Sequence, residues 1–276
     1  MPHAFDPGYV AEPFASLVRD HPGPEVYPPE DFRVEWGPVF HRGRLDGTAR
    51  VLVIGQDPGA HEAVARRILV GEAGQRVQGF LAKLGVTTSY VMVNAFLYSV
   101  YGQGGGERHR DDPAIAAYRH AWLDALLVGR RVEVVVALGR LADHAFRAWQ
   151  RTASGQAVRG AYRAITHPTY PESAAASRRR TRAEAMRDML AGWNRALADL
   201  RPAICRPEVD PGEAGYGEDL DPDRDLAEIP EADLPPGLPP WMRSLDAWAV
   251  RRGPTPGDKR ATIVVTVPAR HRLRAT

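Results

Sequence analysis

The sequence predicts an α/β fold with three layers, in which helices cover both faces of a central four-stranded parallel sheet. Two observations support this prediction. Short apolar runs alternate along the chain with stretches of helical spacing, which is the pattern of βαβ units. After residue 202 this pattern stops, and Pro, Gly and acidic residues dominate to about residue 240. We therefore expect an α/β domain over 1–202 and a Pro/Gly-rich, acidic C-terminal extension over 203–276 that docks back on it.

Four apolar segments are the predicted strands of the sheet. Each is short and rich in β-branched residues, as buried parallel strands are, and each ends in a glycine or a polar residue. These segments are 51–54, 90–93, 132–138 and 162–166.

Helical spacing of apolar residues predicts the covering helices. The helix predicted over 113–127 has clear start signals, because Asp112 is a suitable cap and Pro113 stands at the first helical position. We expect a flexible loop at the glycine-rich stretch 102–106, a short helix at WMRSLDAW and a late strand at ATIVVTV. The predicted helices of the α/β domain are 74–84, 113–127, 141–149 and 177–200.

The single cysteine excludes several kinds of site. Cys205 alone cannot build an internal disulfide framework, a cysteine-based zinc site or a cysteine-ligated iron–sulfur cluster. We therefore expect no cofactor and no metal. The sequence has no run of about 18 apolar residues and no apolar signal segment at its N-terminus, so we expect a cytoplasmic protein with no membrane partner.

Charge is unevenly distributed along the chain. The acidic stretch 208–233 holds eleven acidic residues and one Arg, whereas residues 1–207 hold 27 basic and 21 acidic residues, a net charge of +6. A moderately basic body suits a polyanion such as DNA, although an Arg-rich composition alone gives the same excess. We expect the acidic stretch to be solvated or loosely packed. The alternative is a strip that mimics DNA and folds over the basic groove.

Polar side chains stand where the predicted strands end. Gln56 and Asp57 follow the first strand, Asn94 follows the second, and His167 follows the fourth. In parallel α/β sheets ligands bind at the carboxyl ends of the strands, so these residues predict a single site. Each residue alone also has a structural explanation. Asp57 can cap a helix, Asn94 can end a strand in a turn, and His167 before Pro can be a buried structural histidine.

The order and spacing of these motifs resemble the uracil-DNA glycosylase superfamily. The resemblance covers roughly residues 51–200 and rests on GQDPG, GEAGQRVQGFL, VNAF and HPTYP. It implies a monomeric DNA repair enzyme near the nucleoid that flips uracil, or another damaged base, out of DNA and hydrolyses its N-glycosidic bond. GQDP matches the branch without a cofactor, whereas Gly59 and VGEAG are more similar to the iron–sulfur branch.

The resemblance implies a role for each residue at a strand end. Asp57 would stabilise the positive charge that builds on the sugar and orient the attacking water, and His167 would donate a hydrogen bond to O2 of the departing base. Asn94 would read the Watson–Crick edge of uracil, because its amide can donate to O4 and accept from N3–H. Backbone groups around Gln56 would contact the base.

Two positions depart from the family in ways that affect the choice of base. Gly59 stands where cofactor-free members carry a Tyr that blocks the thymine methyl, so it leaves room near C5 of the base. Family members stack the flipped base on an aromatic residue shortly before the Val-Gly pair at 70–71, where this chain has Leu69. We expect Leu69 to pack on the base with less stacking energy. Phe96 and Tyr98 are alternative platforms, or core residues.

The segment after the fourth strand is the predicted DNA contact. In the family this loop fills the space that the flipped base leaves, which makes Thr169, Tyr170 and Pro171 the candidates here. Tyr170 is either a wedge between base steps or packed on the following helix. Arg178 and Arg179 in the run SRRRTR are candidates for phosphate contacts, and the alternative for them is a solvated helix start.

Two other functions are compatible with the sequence, and a third is disfavoured. The same scaffold can act on hypoxanthine, xanthine or mismatched thymine, or it can be an inactive module that binds DNA or a nucleotide. A metal hydrolase that uses Asp57 and His167 is disfavoured, because no metal-ligand spacing such as H-x-x-x-H accompanies them.

Overall fold

A five-stranded sheet forms the centre of the molecule. The computed structural model describes residues 9–212 and 215–272, so that two residues of the acidic stretch lie outside the described residues. The strands are β1 (His41–Gly43), β2 (Val51–Gly55), β3 (Tyr90–Asn94), β4 (Val134–Leu138) and β5 (Ala161–Ile165). Their order across the sheet is β1-β3-β2-β4-β5. β1 is antiparallel to β3, and all other neighbours are parallel.

The strand β1 corrects the prediction of four strands. It was missed because it has only three residues, and none of them belongs to an apolar run. His41 and Arg42 are nevertheless fully buried, and Arg42 donates from Nε to the carbonyl of Ile68 at 2.8 Å. An antiparallel strand at one edge leaves the carboxyl ends of the parallel strands aligned, so the predicted α/β class with a parallel sheet is confirmed.

Helices lie on both faces of the sheet, in agreement with the predicted three layers. The helices are α1 (Phe14–Arg19), α2 (Ala60–Ala65), α3 (Glu72–Lys83), α4 (Gly102–Arg108), α5 (Pro113–Leu127), α6 (Gly139–Gln150), α7 (Ala153–Ala157), α8 (Tyr170–Ala176), α9 (Arg182–Leu200), α10 (Pro222–Asp225) and α11 (Pro256–Ala261). Successive strand residues point to opposite faces. Val51 and Val53 therefore pack with α3 and α9, whereas Leu52 and Ile54 pack with α5 and α6. No helix in the described ranges combines the length and the apolar character that crossing a membrane requires.

Two helical segments differ from the prediction. The helix predicted over 177–200 begins only at Arg182, as α9, because Arg178 has a left-handed φ of 53° and Thr181 caps α9 with a capping box. The glycine-rich stretch predicted as a loop is the helix α4. A Cβ at Gly106 would lie 2.9 Å from the side chain of Leu141, so glycine lets this helix pack closely on α6.

Short elements make up the residues after 203. Two three-residue strands, β6 (Ala249–Arg251) and β7 (Ile263–Val265), pair antiparallel, and β7 lies within the predicted late strand. The predicted short helix is a 3-10 helix at Pro240–Arg243. Buried apolar side chains of this segment, among them Trp248, form one cluster with Val70 of the α/β body.

Two acidic residues of the extension are buried against the body, which corrects the prediction of a solvated acidic stretch. Asp233 forms an ion pair with Arg42 at 2.6 Å, and both side chains are completely inaccessible. Asp225 pairs in the same way with Lys83 at 3.0 Å. A buried cation without a counter-ion is costly, so these carboxylates and cations require each other.

Replacing Asp233 with Asn should destabilise the protein strongly, because Arg42 would stay charged and buried without a carboxylate. We expect the free energy of unfolding, measured with urea at pH 7, to fall by about 3 kcal/mol. The matched control is Asp199→Asn, which breaks an exposed pair with Arg163 of similar length, 2.8 Å. The control should cost less than about 1 kcal/mol. Equal losses in the two variants would show that the buried Arg42–Asp233 pair contributes no more to the free energy of unfolding than the exposed pair.

Candidate active site

A cavity of about 970 Å³ opens at the carboxyl ends of β2, β4 and β5. This volume is at the upper end of the range of about 300–1,000 Å³ that is usual for small-molecule sites. Of the residues predicted for the site, those that line it are Gln56, Asp57, Gly59, His167, Thr169 and Tyr170. Within the described ranges, no group of three or more His, Cys, Asp or Glu side chains is arranged to hold a metal ion.

Asp57 lies on the turn after β2. Its Oδ2 accepts a hydrogen bond from the backbone N–H of Val100 at 3.0 Å. Burial raises the pKa of Asp57 to about 6, with a smaller rise from Glu62, while the Val100 hydrogen bond and the charges of Arg251 and Arg33 act in the opposite direction. The carboxyl group is therefore ionised at neutral pH, although its environment disfavours the charge.

His167 reaches the cavity from the loop after β5. Its Nδ1 accepts a hydrogen bond from the backbone N–H of Thr169 at 3.2 Å and lies 3.0 Å from the Thr169 hydroxyl. Because Nδ1 is an acceptor, the neutral imidazole carries its proton on Nε2. Burial, with the nearby charge of Arg76, lowers the pKa of His167 to about 4. At neutral pH this side chain is an uncharged hydrogen-bond donor.

Two buried side chains hold the loop that carries His167. The indole Nε1 of Trp193 donates to the carbonyl of Thr166, the residue before His167, at 3.0 Å. The guanidinium of Arg76 donates to the carbonyl of Pro168 and pairs with Glu172 at 2.9 Å. Arg76 is not among the predicted site residues, because one arginine in a helix gives no signal until the loop is packed against it.

Gly139 is a second residue whose place in the site was missed. Its φ is +83°, and a Cβ there would lie 2.5 Å from Nε2 of Gln56 and 3.3 Å from Cβ of His167. Only glycine fits the close packing of these two side chains at the end of β4. The available signal is a glycine directly after the predicted strand 132–138.

Gly59 stands beside the buried carboxylate of Glu62, which is not among the predicted site residues. Its N–H donates to Oε2 of Glu62 at 3.0 Å, and a Cβ at this position would lie 2.7 Å from the same oxygen. The other oxygen of Glu62 accepts from the N–H of Val70 at 3.2 Å. Glu62 thus connects the turn after β2 to the segment before α3, and the missing side chain at Gly59 makes room for it.

Asn94 and Leu69 are not among the residues that line the cavity. The Oδ1 of Asn94 lies against Gly55, where an added Cβ would be 2.2 Å away. Leu69 is buried in the core together with residues of α3. The cavity extends over β2, β4 and β5, whereas β3 lies on the other side of β2, so Asn94 is not brought next to His167. Base contacts of Asn94 and Leu69 stay predictions.

The predicted DNA-contacting residues have different environments. Thr169 and Tyr170 line the cavity, and Tyr170 is half-buried at the start of α8, while Pro171 is buried in the same turn. Arg178 and Arg179 are exposed between α8 and α9 rather than at a helix start. Their side chains are therefore accessible to a phosphate backbone.

Replacing Asp57 with Asn should stabilise the protein above pH 6. Burial raises the pKa of Asp57 from 3.8 to about 6. The folded state therefore favours the protonated carboxyl group. Its contribution to the free energy of unfolding is fully present below pH 3.8 and is lost as the pH rises through about 6. Asn keeps an oxygen for the Val100 N–H and carries no charge. We expect the free energy of unfolding at pH 8 to rise by about 1–2 kcal/mol, and by less at pH 5. Urea unfolding at both pH values measures this, with Asp199→Asn as the exposed control.

A known protein family matches the α/β body of the chain. The chain matches the sequence model of the Uracil DNA glycosylase superfamily over residues 42–205. This region contains β2 to β5 and the turns that carry Asp57 and His167. No curated protein matches the chain. The matched region exceeds half of the 276 residues. The chain therefore belongs to the uracil DNA glycosylase superfamily and is a DNA glycosylase in its general class.

Proposed function

We propose that this protein hydrolyses the N-glycosidic bond of uracil in DNA and leaves an abasic site for base excision repair. The observation that carries the proposal is that a carboxylate, Asp57, and a neutral imidazole, His167, line one cavity. The reaction separates a positive charge on the sugar from a negative charge on the base. It therefore needs an anionic group beside the sugar and a hydrogen-bond donor beside the base. We further propose that the enzyme acts as a monomer on cytoplasmic, nucleoid-associated DNA.

Asp57 is the proposed catalytic group on the sugar side. As the glycosidic bond breaks, C1′ gains oxocarbenium character, and a nearby carboxylate stabilises this charge. The same carboxylate orients the water that attacks C1′. The hydrogen bond from Val100 holds Oδ2, which leaves Oδ1 available for the water.

His167 is the proposed catalytic group on the base side. The departing uracil carries a negative charge that is shared by O2, and a hydrogen bond from Nε2 stabilises it. Thr169 fixes the tautomer with the proton on Nε2. The low pKa of His167 suits this role, because a neutral donor enters the cavity without the cost of burying a second charge.

DNA binding is proposed to bring the base to these groups by flipping it out of the helix. Flipping costs a few kcal/mol, so contacts that fill the vacated space and hold the backbone must compensate for it. Thr169, Tyr170 and Pro171 are the proposed contacts at the vacated space, and Arg178 and Arg179 are the proposed phosphate contacts.

We also propose that the enzyme is monofunctional, hydrolysing the base without cutting the strand. A lyase step uses an amine that forms a Schiff base with the sugar. The chain has two lysines, Lys83 and Lys259, and neither lines the cavity. Lys83 is instead paired with Asp225.

A second candidate function is the removal of another deaminated or mismatched base, such as hypoxanthine, xanthine or thymine opposite guanine. The position of Asn94 favours this candidate, because its amide lies against Gly55 and not in the cavity. Gly59 also brings no side chain towards C5 of the base. The catalytic roles of Asp57 and His167 are the same for either candidate, so the choice of base is a separate question.

The purified protein should release uracil from a uracil-containing oligonucleotide, detected as strand cleavage after alkali and not before it. Asp57→Asn should lower kcat by about 10²–10⁴-fold, and His167→Ala by about 10²–10³-fold, because each removes one charge-stabilising group. DNA affinity should change little in both variants. His144→Ala, which removes a histidine on α6 outside the cavity lining, is the matched control and should retain the full rate.

Parallel substrates with hypoxanthine, xanthine or a G·T mismatch decide between the two candidates. Cleavage of one of these, without cleavage at uracil, would favour the second candidate. An enzyme that binds DNA and cleaves none of them would be a binding module, and the proposed function would be wrong.

The rate should fall on the acid side of about pH 6. The carboxyl group of Asp57, with a pKa of about 6, must be ionised to act, whereas His167 stays neutral down to about pH 4. We expect kcat/KM to decrease about tenfold per pH unit below pH 6 and to be level above it. Steady-state rates between pH 4.5 and 9 on one uracil substrate measure this profile. An unchanged rate down to pH 5 would argue against an essential carboxylate with this pKa.

A further inference from the structure

Arg251 brings a positive charge from the C-terminal extension into the cavity. Its side chain lines the cavity together with Asp57, although the family match ends at residue 205. The guanidinium Nη2 donates to the hydroxyl of Ser99 at 2.8 Å, and the group lies over the ring of Trp36 at 5.6 Å. The hydrogen bond to Ser99 and the contact with Trp36 hold the guanidinium in this position.

The strand that carries Arg251 is itself held against the turn of Asp57. The ring Nε2 of His61 accepts hydrogen bonds from the backbone N–H groups of Trp248 and Ala249, both at 3.2 Å. His61 lies in α2, which begins three residues after Asp57. The position of Arg251 relative to Asp57 therefore depends on direct contacts between β6 and α2, and not on a flexible tail.

Asp57 and Arg251 are bound by two consecutive residues. The N–H of Val100 donates to Asp57, and the hydroxyl of Ser99 accepts from Arg251. A second cation, Arg33, donates to the Ser99 hydroxyl at 3.3 Å and to the Val100 carbonyl at 2.6 Å. Two guanidinium groups thus meet one short segment that also holds the catalytic carboxylate.

The charges that face Asp57 from the surrounding elements have opposite effects. Glu62 of α2 disfavours the ionised carboxylate, as does burial, whereas Arg33 and Arg251 favour it. Arg33 precedes the β1 edge of the body, and Arg251 belongs to β6 of the extension. An opposite charge close to a carboxylate typically lowers the pKa of the carboxyl group by about 1–3 units.

We propose that Arg251 is a positioning residue whose guanidinium, held at Ser99 next to the Val100 contact of Asp57, stabilises the Asp57 carboxylate inside the cavity. This charge comes from the extension, outside the residues 42–205 that match the family. The inference rests on the proposed catalytic role of Asp57. It assigns a function in catalysis to a segment that the family match does not cover.

NMR titration of the Asp57 carboxyl carbon tests the proposal without DNA. The full-length protein is labelled with 13C at aspartate side chains, the signal of Asp57 is assigned with the Asp57→Asn variant, and the titration is repeated in two variants of residue 251. Arg251→Gln should raise the pKa of Asp57 by about one unit. Arg251→Lys keeps the charge and should stay close to wild type. The control Arg252→Gln changes the exposed neighbour and should have no effect.

The pH–rate profile on a uracil oligonucleotide gives the second readout. Arg251→Gln should move the acid limb upwards by the same one unit, so that the rate at pH 6 falls several-fold and largely recovers above pH 8. An unchanged Asp57 pKa in a folded Arg251→Gln protein would overturn the proposal. A second outcome would also overturn it: a loss of kcat/KM in Arg251→Gln that is the same at every pH, comes from a higher KM and becomes smaller with added salt. That outcome would identify Arg251 as a phosphate contact. If the wild-type enzyme cleaved no substrate, the proposed function would fail, while the NMR titration would still decide the effect of Arg251 on Asp57.

Discussion

The burial of one carboxylate, that of Asp57, is the constraint on which the rest of the site depends. A half-buried charge in a cavity loses part of its hydration, and the protein must replace that hydration with hydrogen bonds and opposite charges. The N–H of Val100 supplies the hydrogen bond, and Arg33 and Arg251 supply the charges. These groups come from three distant parts of the chain. The segment after β3 and the C-terminal extension must therefore both pack against the turn after β2 for the carboxylate to be compensated.

The same cavity imposes the opposite condition on His167. Burial disfavours its charged form, and Arg76, which holds its loop, disfavours it further. The acid with a pKa of about 6 is therefore ionised, and the base with a pKa of about 4 is neutral, over the whole range above pH 6. Environments that set two titratable groups to complementary states are a recurring feature of enzymes that use a carboxylate and a second group at one bond. Here the two environments share one cavity and use separate arginines.

The fold was largely predictable because its signals are local. Buried parallel strands are continuous apolar runs, and the helices that cover them show apolar spacing, so the pattern from β2 to α9 is visible in the sequence alone. The failures have an equally physical reason. β1 has no apolar run, and its burial depends on Arg42 finding Asp233, which is 191 positions away. The acidic stretch gave the composition of a solvated segment, because composition does not show which carboxylates meet a buried cation.

The sequence by itself determined the class of fold, the family and the strand ends at which Asp57 and His167 stand, since strand periodicity and turn chemistry are properties of neighbouring residues. Tertiary structure alone decided which groups face these two side chains. Asn94 had the expected place at a strand end, yet its amide packs on Gly55. Arg251, in contrast, carried no motif and reaches the cavity through β6. Ionisation and hydrogen bonding depend on distances of a few ångströms between residues far apart in the chain, and only the folded molecule sets those distances.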